Sequence, residues 1–186
     1  RQPTDRADLW SAGTLATAAG GHGTQYGMPI PTPAAPADAD AWVQARSDEG
    51  SDFIKIVRED MHVYRDGAAL PTLDAATSAA VIRAARQRGL MAVVHASAQD
   101  AARESLRDGA HGLVHVFQDA VADDAFVALA RERGAFVVPT LTVFAGFSGE
   151  HSTLSEDPRV TPWLSQDQRQ SLTSRPEYIR ANPALL

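Results

Sequence analysis

The most constraining feature of the chain is a unit that occurs four times, in which a helical pattern, a glycine and a short apolar run follow one another. The four copies are AWVQARSDEG-SDFIKIV, AAVIRAARQRG-LMAVVHA, AARESLRDG-AHGLVHV and AFVALARERG-AFVVPTL. Each helical pattern ends at a glycine that tolerates the left-handed backbone closing a helix, namely Gly50, Gly89, Gly109 and Gly134. Apolar runs without polar alternation are typical of parallel strands covered on both faces. The unit therefore predicts an α/β fold with a parallel sheet and right-handed crossovers.

The segments outside the four units complete a single predicted domain over residues 1–186. SAGTLATAAGG, residues 11–21, predicts one more strand and a loop, which gives four or five strands in total. Residues 28–40 contain several prolines and predict a loop. Residues 141–165 have no regular pattern, and residues 166–181 predict a last helix.

Composition excludes several classes of protein. Hydrophobic residues are 44% and charged residues 22% of the chain, as in globular domains. The net charge of -6 without a basic cluster disfavours a nucleic-acid surface. The absence of cysteine excludes thiolate metal sites, cysteine nucleophiles and disulfides, and leaves the compartment open. No apolar run reaches the roughly 18 to 20 residues that a membrane span requires.

Three ionisable residues lie near the carboxyl ends of consecutive predicted strands. Lys55 lies within DFIKIV, His95 within MAVVHA and His115 within GLVHV. Side chains alternate along a strand, so His95 shares a face with Val93, and His115 shares a face with Leu113. In barrels and open α/β sheets, active sites are assembled at this edge. The three residues are therefore candidates for one site.

Lys55 is the only lysine beside 16 arginines, and it lies in an apolar run. Arginine would serve an ordinary salt bridge as well, but only lysine loses its proton when it is desolvated. The neutral amine could form a Schiff base with a carbonyl substrate, or react with carbon dioxide to give an anionic carbamate that bridges two metal ions. Two nearby histidines favour the metal interpretation, because imidazole is a common zinc ligand.

Structural explanations exist for each residue taken singly. Lys55 could extend past the strand end and pair with Glu59 or Asp60. His95 and His115 could be core histidines that are bonded to the backbone. The conjunction of all three at one edge favours function over these alternatives.

The chain resembles the metal-dependent amidohydrolase superfamily, and most closely the branch with imidazolonepropionase-like proteins and Xaa-Pro or Xaa-Arg dipeptidases. The matching stretches are GGHGTQYG, SDFIKI, VVHASAQDAARESLRDGAHGLVHV and ERGAFVVPTL, at 20–27, 51–56, 93–116 and 132–141. SDFIKI is similar to the strand of that branch whose lysine is carbamylated. The two histidines that end the following strands are similar to its single-histidine metal ligands.

The resemblance implies a partial TIM (β/α)8 barrel, covering approximately strands 3 to 7 of eight. It implies two divalent metal ions, most often zinc, bridged by Lys55 as a carbamate formed with carbon dioxide, with His95 and His115 as metal ligands. The implied reaction is hydrolysis of an amide or cyclic C–N bond in a small molecule or dipeptide. A hydroxide made available by the metals would attack the carbonyl carbon.

The chain also departs from the family pattern. It has no His-x-His pair of the kind that follows the first strand, and no counterpart of the aspartate that follows the eighth. A full barrel takes about 250 residues. The chain is therefore expected to be an internal piece of a longer enzyme and to be inactive on its own.

Three further residues are candidates for contact with the substrate. Tyr64, in the loop after the Lys55 strand, would polarise the substrate carbonyl, as a loop tyrosine does in related dipeptidases. Arg65 would pair with a substrate carboxylate, because guanidinium binds it through two hydrogen bonds. His22, among glycines in GGHGTQYG, would approach the site through the flexible backbone. An ordinary exposed loop or turn is the alternative for each of them.

Two other functions remain open from the sequence. A Schiff-base lyase or aldolase on a similar barrel would use Lys55 as its nucleophile and would tolerate replacement of either histidine. A non-enzymatic α/β module would bind an anion through GGHGTQYG, although no helix clearly begins behind that loop.

Overall fold

The computed structural model describes residues 5, 7–63, 69–148 and 156–173, which fall into two compact units. The first unit spans residues 1–139 and the second spans 140–186. Within the second unit, the described elements are α5 (Leu141–Ser148), a 3-10 helix (Thr161–Trp163) and α6 (Gln166–Thr173). None of the described helices is long and apolar enough to cross a membrane.

The first unit alternates helices with strands, as the repeated unit predicts. After a 3-10 turn at Pro36–Asp38, its elements are α1 (Ala39–Asp48), β1 (Phe53–Val57), α2 (Ala75–Gln87), β2 (Met91–His95), α3 (Gln99–Arg107), β3 (Gly112–Val114), α4 (Asp124–Arg133) and β4 (Phe136–Val138). The strands form one parallel sheet in the order β1-β2-β3-β4. Sequential order in a parallel sheet is the arrangement of strands in a TIM barrel. The predicted fold class is confirmed.

The helix ends follow from their local sequence. Asp74 begins α2 by accepting a hydrogen bond from the Thr77 N–H at 2.8 Å, and Asp123 begins α4 in the same way. The glycines predicted to end the helices all have left-handed φ angles, at Gly50, Gly89, Gly109 and Gly134. The helix–glycine–strand interpretation of the repeat is therefore correct in all four copies.

The hydrophobic core lies on one face of the sheet, which is called the helix face below. Ile54, Ile56, Val94 and Leu113 point to this face and are almost fully buried. They form one cluster with apolar residues of all four helices, which include Val43, Val81, Ile82, Leu106 and Phe126. Burial of this layer is the main favourable contribution to folding.

The opposite face of the sheet, called the lysine face below, is only partly covered by the described residues. Lys55, Val93 and His95 point to it, and Met91 and Val138 remain exposed there. The expectation of strands covered on both faces is therefore not met among the described residues: the lysine face is only partly covered, and the edge strand β4 is exposed on both faces, with Val137 of the helix face 44% exposed. The reason is that all four helices pack on one side, and four strands are too few to close a barrel around the other.

A close approach between neighbouring strands occurs on the lysine face. Gly112 lies directly beside Phe136 in the register of β3 and β4. A methyl group at position 112 would lie 2.6 Å from carbon atoms of the Phe136 ring. The ring therefore occupies the space that any other side chain at position 112 would need.

Two predicted elements differ from the structure. Within residues 11–21 only Ala16 pairs with the sheet, through hydrogen bonds with Lys55 and Val57 at 2.8 Å each, so the fifth strand is a single bridge. Residues 141–165 contain α5, although its Gly146 and β-branched residues disfavour a helix. The predicted last helix is observed as α6, and residues 174–181 lie outside the described part of the chain.

Candidate active site

Lys55 lies at the centre of β1 with its side chain on the lysine face. Burial lowers the pKa of its amine. Among the described residues, Lys55 forms no salt bridge with a carboxylate: Glu59 instead faces His95, and Asp60 pairs with His62. The alternative in which Lys55 pairs with Glu59 or Asp60 is therefore not observed.

His95 is the last residue of β2 and is only 8% exposed. It is in register with Val57, two residues beyond Lys55, so it shares the lysine face. Its carbonyl accepts a hydrogen bond from the Arg58 N–H at 2.9 Å, which holds the ends of β1 and β2 together. The structure thus places His95 beside the end of the lysine strand, as predicted.

His115 reaches the site by a different route from the one predicted. β3 ends at Val114, and His115 follows with a left-handed φ of 72°. Leu113 is in register with Val94 and points to the helix face, so continued alternation would turn position 115 towards the helices. The left-handed residue interrupts this alternation, and the His115 ring lies edge-on to the His95 ring, with centroids 4.4 Å apart.

The His115 imidazole is neutral at physiological pH. Burial is the largest cause that lowers its pKa to about 4, and electrostatic interaction with His95, Lys55 and His22 contributes in the same direction. Neutral imidazole is the form that binds a metal ion. His115 is therefore in the protonation state that the predicted ligand role requires.

His22 joins the same cluster from the loop after Ala16. Its ring centroid lies 5.1 Å from that of His95, and its carbonyl accepts a hydrogen bond from Thr17 Oγ1 at 2.8 Å. Burial and the nearby His95 lower its pKa. The structure thus brings His22 to the lysine face, while its predicted role in substrate binding stays a prediction.

Gln25 determines which ring nitrogen of His22 carries the proton. The Gly23 N–H donates to Gln25 Oε1 at 2.6 Å, so the amide group of Gln25 turns its Nε2 towards His22 Nδ1, at 3.0 Å. Because an amide nitrogen only donates, Nδ1 must accept. Neutral His22 therefore carries its proton on Nε2 and can donate from that atom.

The two remaining predicted site residues, Tyr64 and Arg65, lie outside the described residues. Their proposed contacts with the substrate carbonyl and carboxylate stay predictions.

The sequence interpretation missed the position of Glu59. Its side chain is buried on the lysine face, where Oε1 accepts a hydrogen bond from the Met61 N–H at 2.6 Å and Oε2 lies 3.4 Å from His95 Nε2. Burial raises the pKa of Glu59, but its contacts with His95, Ser97 and the Met61 backbone together outweigh burial and hold the pKa below its usual range. The sequence did contain a signal for this position, because residues 55, 57 and 59 are two apart and lie on the same face of an extended chain.

Across the described ranges, no group of three or more His, Cys, Asp or Glu side chains is placed to hold a metal ion. The predicted donor set includes only two residues of those types, His95 and His115, because its third member is a modified lysine. The observed cluster therefore neither completes a metal site by itself nor excludes the predicted one.

Two cavities border this region. One, of about 310 Å³, is mainly apolar and is lined by Leu113, His115, Val116, Phe117, Ala120, Ala122, Phe126 and Val137. The other, of about 330 Å³, lies in the loop that carries His22 and includes Gly20, Thr24 and Met28. Only the first is lined by one of the three residues predicted to bind metal.

Comparison with solved structures identifies the fold. A Xaa-Pro dipeptidase with methionine bound in its active site matches 92% of this chain, with a TM-score of 0.61 and 22% identity. Ochratoxinase from A. niger matches 92% of the chain with a TM-score of 0.62 and 15% identity. A prolidase complexed with N-methylphosphonate-L-proline matches 93% with a TM-score of 0.57 and 19% identity.

The chain therefore has the fold of part of an amidohydrolase TIM barrel. It spans 43%, 41% and 45% of the lengths of these three structures, respectively. No model of a protein family matches the chain, and no curated protein is significantly similar to it. The predicted resemblance to amidohydrolases and dipeptidases is confirmed at the level of the fold.

Proposed function

We propose that this chain supplies part of the active site of a metal-dependent hydrolase that cleaves the amide bond of a dipeptide or another small amide. The observation that carries the proposal is the convergence of Lys55, His95 and His115 at one edge of an amidohydrolase-like sheet, with the two imidazole rings 4.4 Å apart. The fold alone would not carry it, because the same barrel hosts many reactions.

The chemistry of these three residues fits two divalent metal ions, for which zinc is the first candidate. Because the pKa of Lys55 is lowered, a larger fraction of its amine is neutral at a given pH. That amine forms an N–C bond with carbon dioxide and releases one proton to water, which leaves an anionic carbamate. His95 and His115 would supply neutral nitrogen donors. When bound, the metal ions supply a strongly acidified water for hydrolysis at neutral pH.

The other site residues would act on the substrate. His22 would donate a hydrogen bond from Nε2, the nitrogen that Gln25 leaves protonated. Arg65 would pair with a substrate carboxylate, and Tyr64 would polarise the scissile carbonyl. A dipeptide or N-acyl amino acid offers both the carboxylate and the scissile carbonyl, and the matched dipeptidase and prolidase structures support this class of substrate.

The test uses zinc and ¹³C-bicarbonate with the 186-residue chain. We expect zinc binding that increases with bicarbonate, together with a carbamate ¹³C signal that disappears in Lys55→Arg and Lys55→Ala. His95→Ala should weaken zinc binding at least tenfold, whereas His62→Ala, which removes an exposed histidine, should not.

Besides a failure of the wild type to bind zinc, two results would contradict the proposal. One is zinc binding that is independent of Lys55 and of bicarbonate. The other is covalent trapping of a carbonyl substrate on Lys55 by borohydride, which would establish the Schiff-base alternative. Hydrolysis is assayed separately on Xaa-Pro dipeptides and N-acyl amino acids, because the chain spans less than half of the matched enzymes.

A further inference from the structure

Glu59 is a buried carboxylate to which neither the sequence nor the proposed reaction assigns a role. Only 2% of the residue is exposed, and its side chain is completely enclosed. Burial of an ionised carboxylate is costly unless partners compensate for the lost water. An enclosed acid beside the candidate metal ligands therefore requires a physical explanation.

The backbone satisfies only one of the two carboxylate oxygens. Oε1 accepts the Met61 N–H at 2.6 Å, in a tight turn where Met61 itself has a left-handed φ of 68°. Oε2 is buried and has no well-formed hydrogen bond within the described residues, and the buried Ser97 side chain is the other side chain besides His95 that acts on the carboxylate. The turn thus holds the carboxylate in place with its second oxygen directed at the site.

The residue that Oε2 faces is His95, whose Nε2 lies 3.4 Å away. This separation is slightly longer than a good N–H···O hydrogen bond, so a small ring movement would form one. A carboxylate can only accept from Nε2, which places the proton of neutral His95 on that atom. The other ring nitrogen, Nδ1, is then left with its lone pair available.

We propose that Glu59 is the positioning residue for His95: its carboxylate accepts the Nε2–H, fixes the ring orientation and leaves Nδ1 to bind the metal ion. This inference rests on the proposed function, because it assigns His95 to a metal site. Carboxylates that hold the second nitrogen of a ligating histidine increase the basicity and the order of the ligand. Glu59 would act through His95 and would not touch the substrate.

The chain contains a matched control in the adjacent residue. Asp60 also contacts a histidine, His62, but the His62 side chain is 53% exposed. Asp60→Asn therefore removes a carboxylate–histidine pair next to Glu59 without changing the lysine face.

The experiment has one readout without metal and one with zinc. Ring ¹⁵N chemical shifts of metal-free protein at neutral pH report the tautomer of His95, and titration calorimetry reports the affinity for zinc. We expect the Nε2–H tautomer in the wild type and its loss in Glu59→Ala. Zinc affinity should fall by about ten- to a hundredfold in Glu59→Ala. Asp60→Asn should change neither quantity.

Glu59→Gln keeps the shape of the side chain and carries the affinity test if Glu59→Ala does not fold. For this variant a loss of zinc affinity supports the proposal, and unchanged affinity overturns it. In Glu59→Ala, an unchanged tautomer of His95 also overturns the proposal. If zinc affinity is then normal, Glu59 has no role at the site. If zinc affinity is reduced, Glu59 is itself a metal ligand. If the wild type binds no zinc, the proposed function fails, while the tautomer comparison still decides whether Glu59 orients His95.

Discussion

The two faces of the sheet are built from the same four strands, yet they differ in what covers them. Along β1 and β2, Ile56 on the helix face is completely buried, whereas Met91 on the lysine face is 39% exposed. The edge strand β4 is exposed on both faces. The helix face carries apolar side chains packed against four helices, and the lysine face carries Lys55 and His95. The difference indicates that stability is concentrated on one face and chemistry on the other.

The largest expected effect tests where stability resides. Ile56→Ala should lower the free energy of unfolding by about 2 to 5 kcal/mol, because it leaves a cavity between the sheet and the helices. Met91→Ala removes a similar volume from the lysine face and should cost about 0.5 kcal/mol. Urea unfolding of both variants measures the contrast. Equal losses would show that the two faces contribute alike.

A second, smaller effect concerns the left-handed residue that brings His115 to the lysine face. His115→Gly should be more stable than His115→Ala by about 1 kcal/mol, because glycine adopts a positive φ without strain. Urea unfolding of the metal-free variants checks the order. A more stable alanine variant would mean that position 115 continues the strand.

A third prediction concerns Lys55, which precedes Ile56 in β1 and lies on the opposite face of the sheet. The pKa of Lys55 is lowered by burial, so its charged form destabilises the folded state at neutral pH. Lys55→Met should therefore increase stability at pH 7. Between the lowered pKa of folded Lys55 and the unfolded pKa near 10.5, the folded state binds fewer protons than the unfolded state. The wild type therefore gains stability as pH rises through this range, and the stability advantage of Lys55→Met shrinks.

The measurement for Lys55 is urea unfolding of metal-free protein at pH 7 and pH 10, with bicarbonate excluded. Lys55→Arg serves as the control, because guanidinium stays charged throughout this range. It should be the least stable of the three proteins. An advantage of methionine that does not change with pH would contradict the assigned cause.

The smallest effect is spectroscopic and concerns the loop that covers part of the lysine face. Gln25→Glu replaces the donor facing His22 Nδ1 by an acceptor, so the proton of neutral His22 should move from Nε2 to Nδ1. Ring ¹⁵N chemical shifts measure this change. Gln25→Ala should give a mixture of tautomers. A wild type already protonated on Nδ1 would contradict the hydrogen-bond assignment.

The helix face could be predicted from the sequence because it depends on local signals. Helical spacing up to a glycine followed by an apolar run located the four α-helices and four strands described in the first unit, including Gly50 with its left-handed φ, but not the 3-10 turn at Pro36–Asp38. Strand alternation also placed Lys55 and His95 near the carboxyl ends of neighbouring strands, and the register of β1 with β2 then puts both on one face. These predictions succeeded since they need only the periods of helices and strands.

The features missed by the sequence analysis depend on the backbone beyond the regular elements. A left-handed φ at a histidine has no signature in the sequence, so alternation grouped His115 with Leu113. The partner of Glu59 could not be predicted, because it depends on the turn that reaches Met61. The fifth strand became one bridge at Ala16, since hydrogen bonding to β1 involves only that residue.

The close approach of Gly112 and Phe136 has a consequence for how this sheet can evolve. Because the Phe136 ring fills the space beside Gly112, a larger residue at position 112 requires that this partly exposed ring moves or that a smaller residue replaces it. The two positions should therefore covary among homologous sequences, although 24 positions separate them along the chain. An alignment deep enough to detect that covariation would identify the pairing of β3 with β4 without any coordinates.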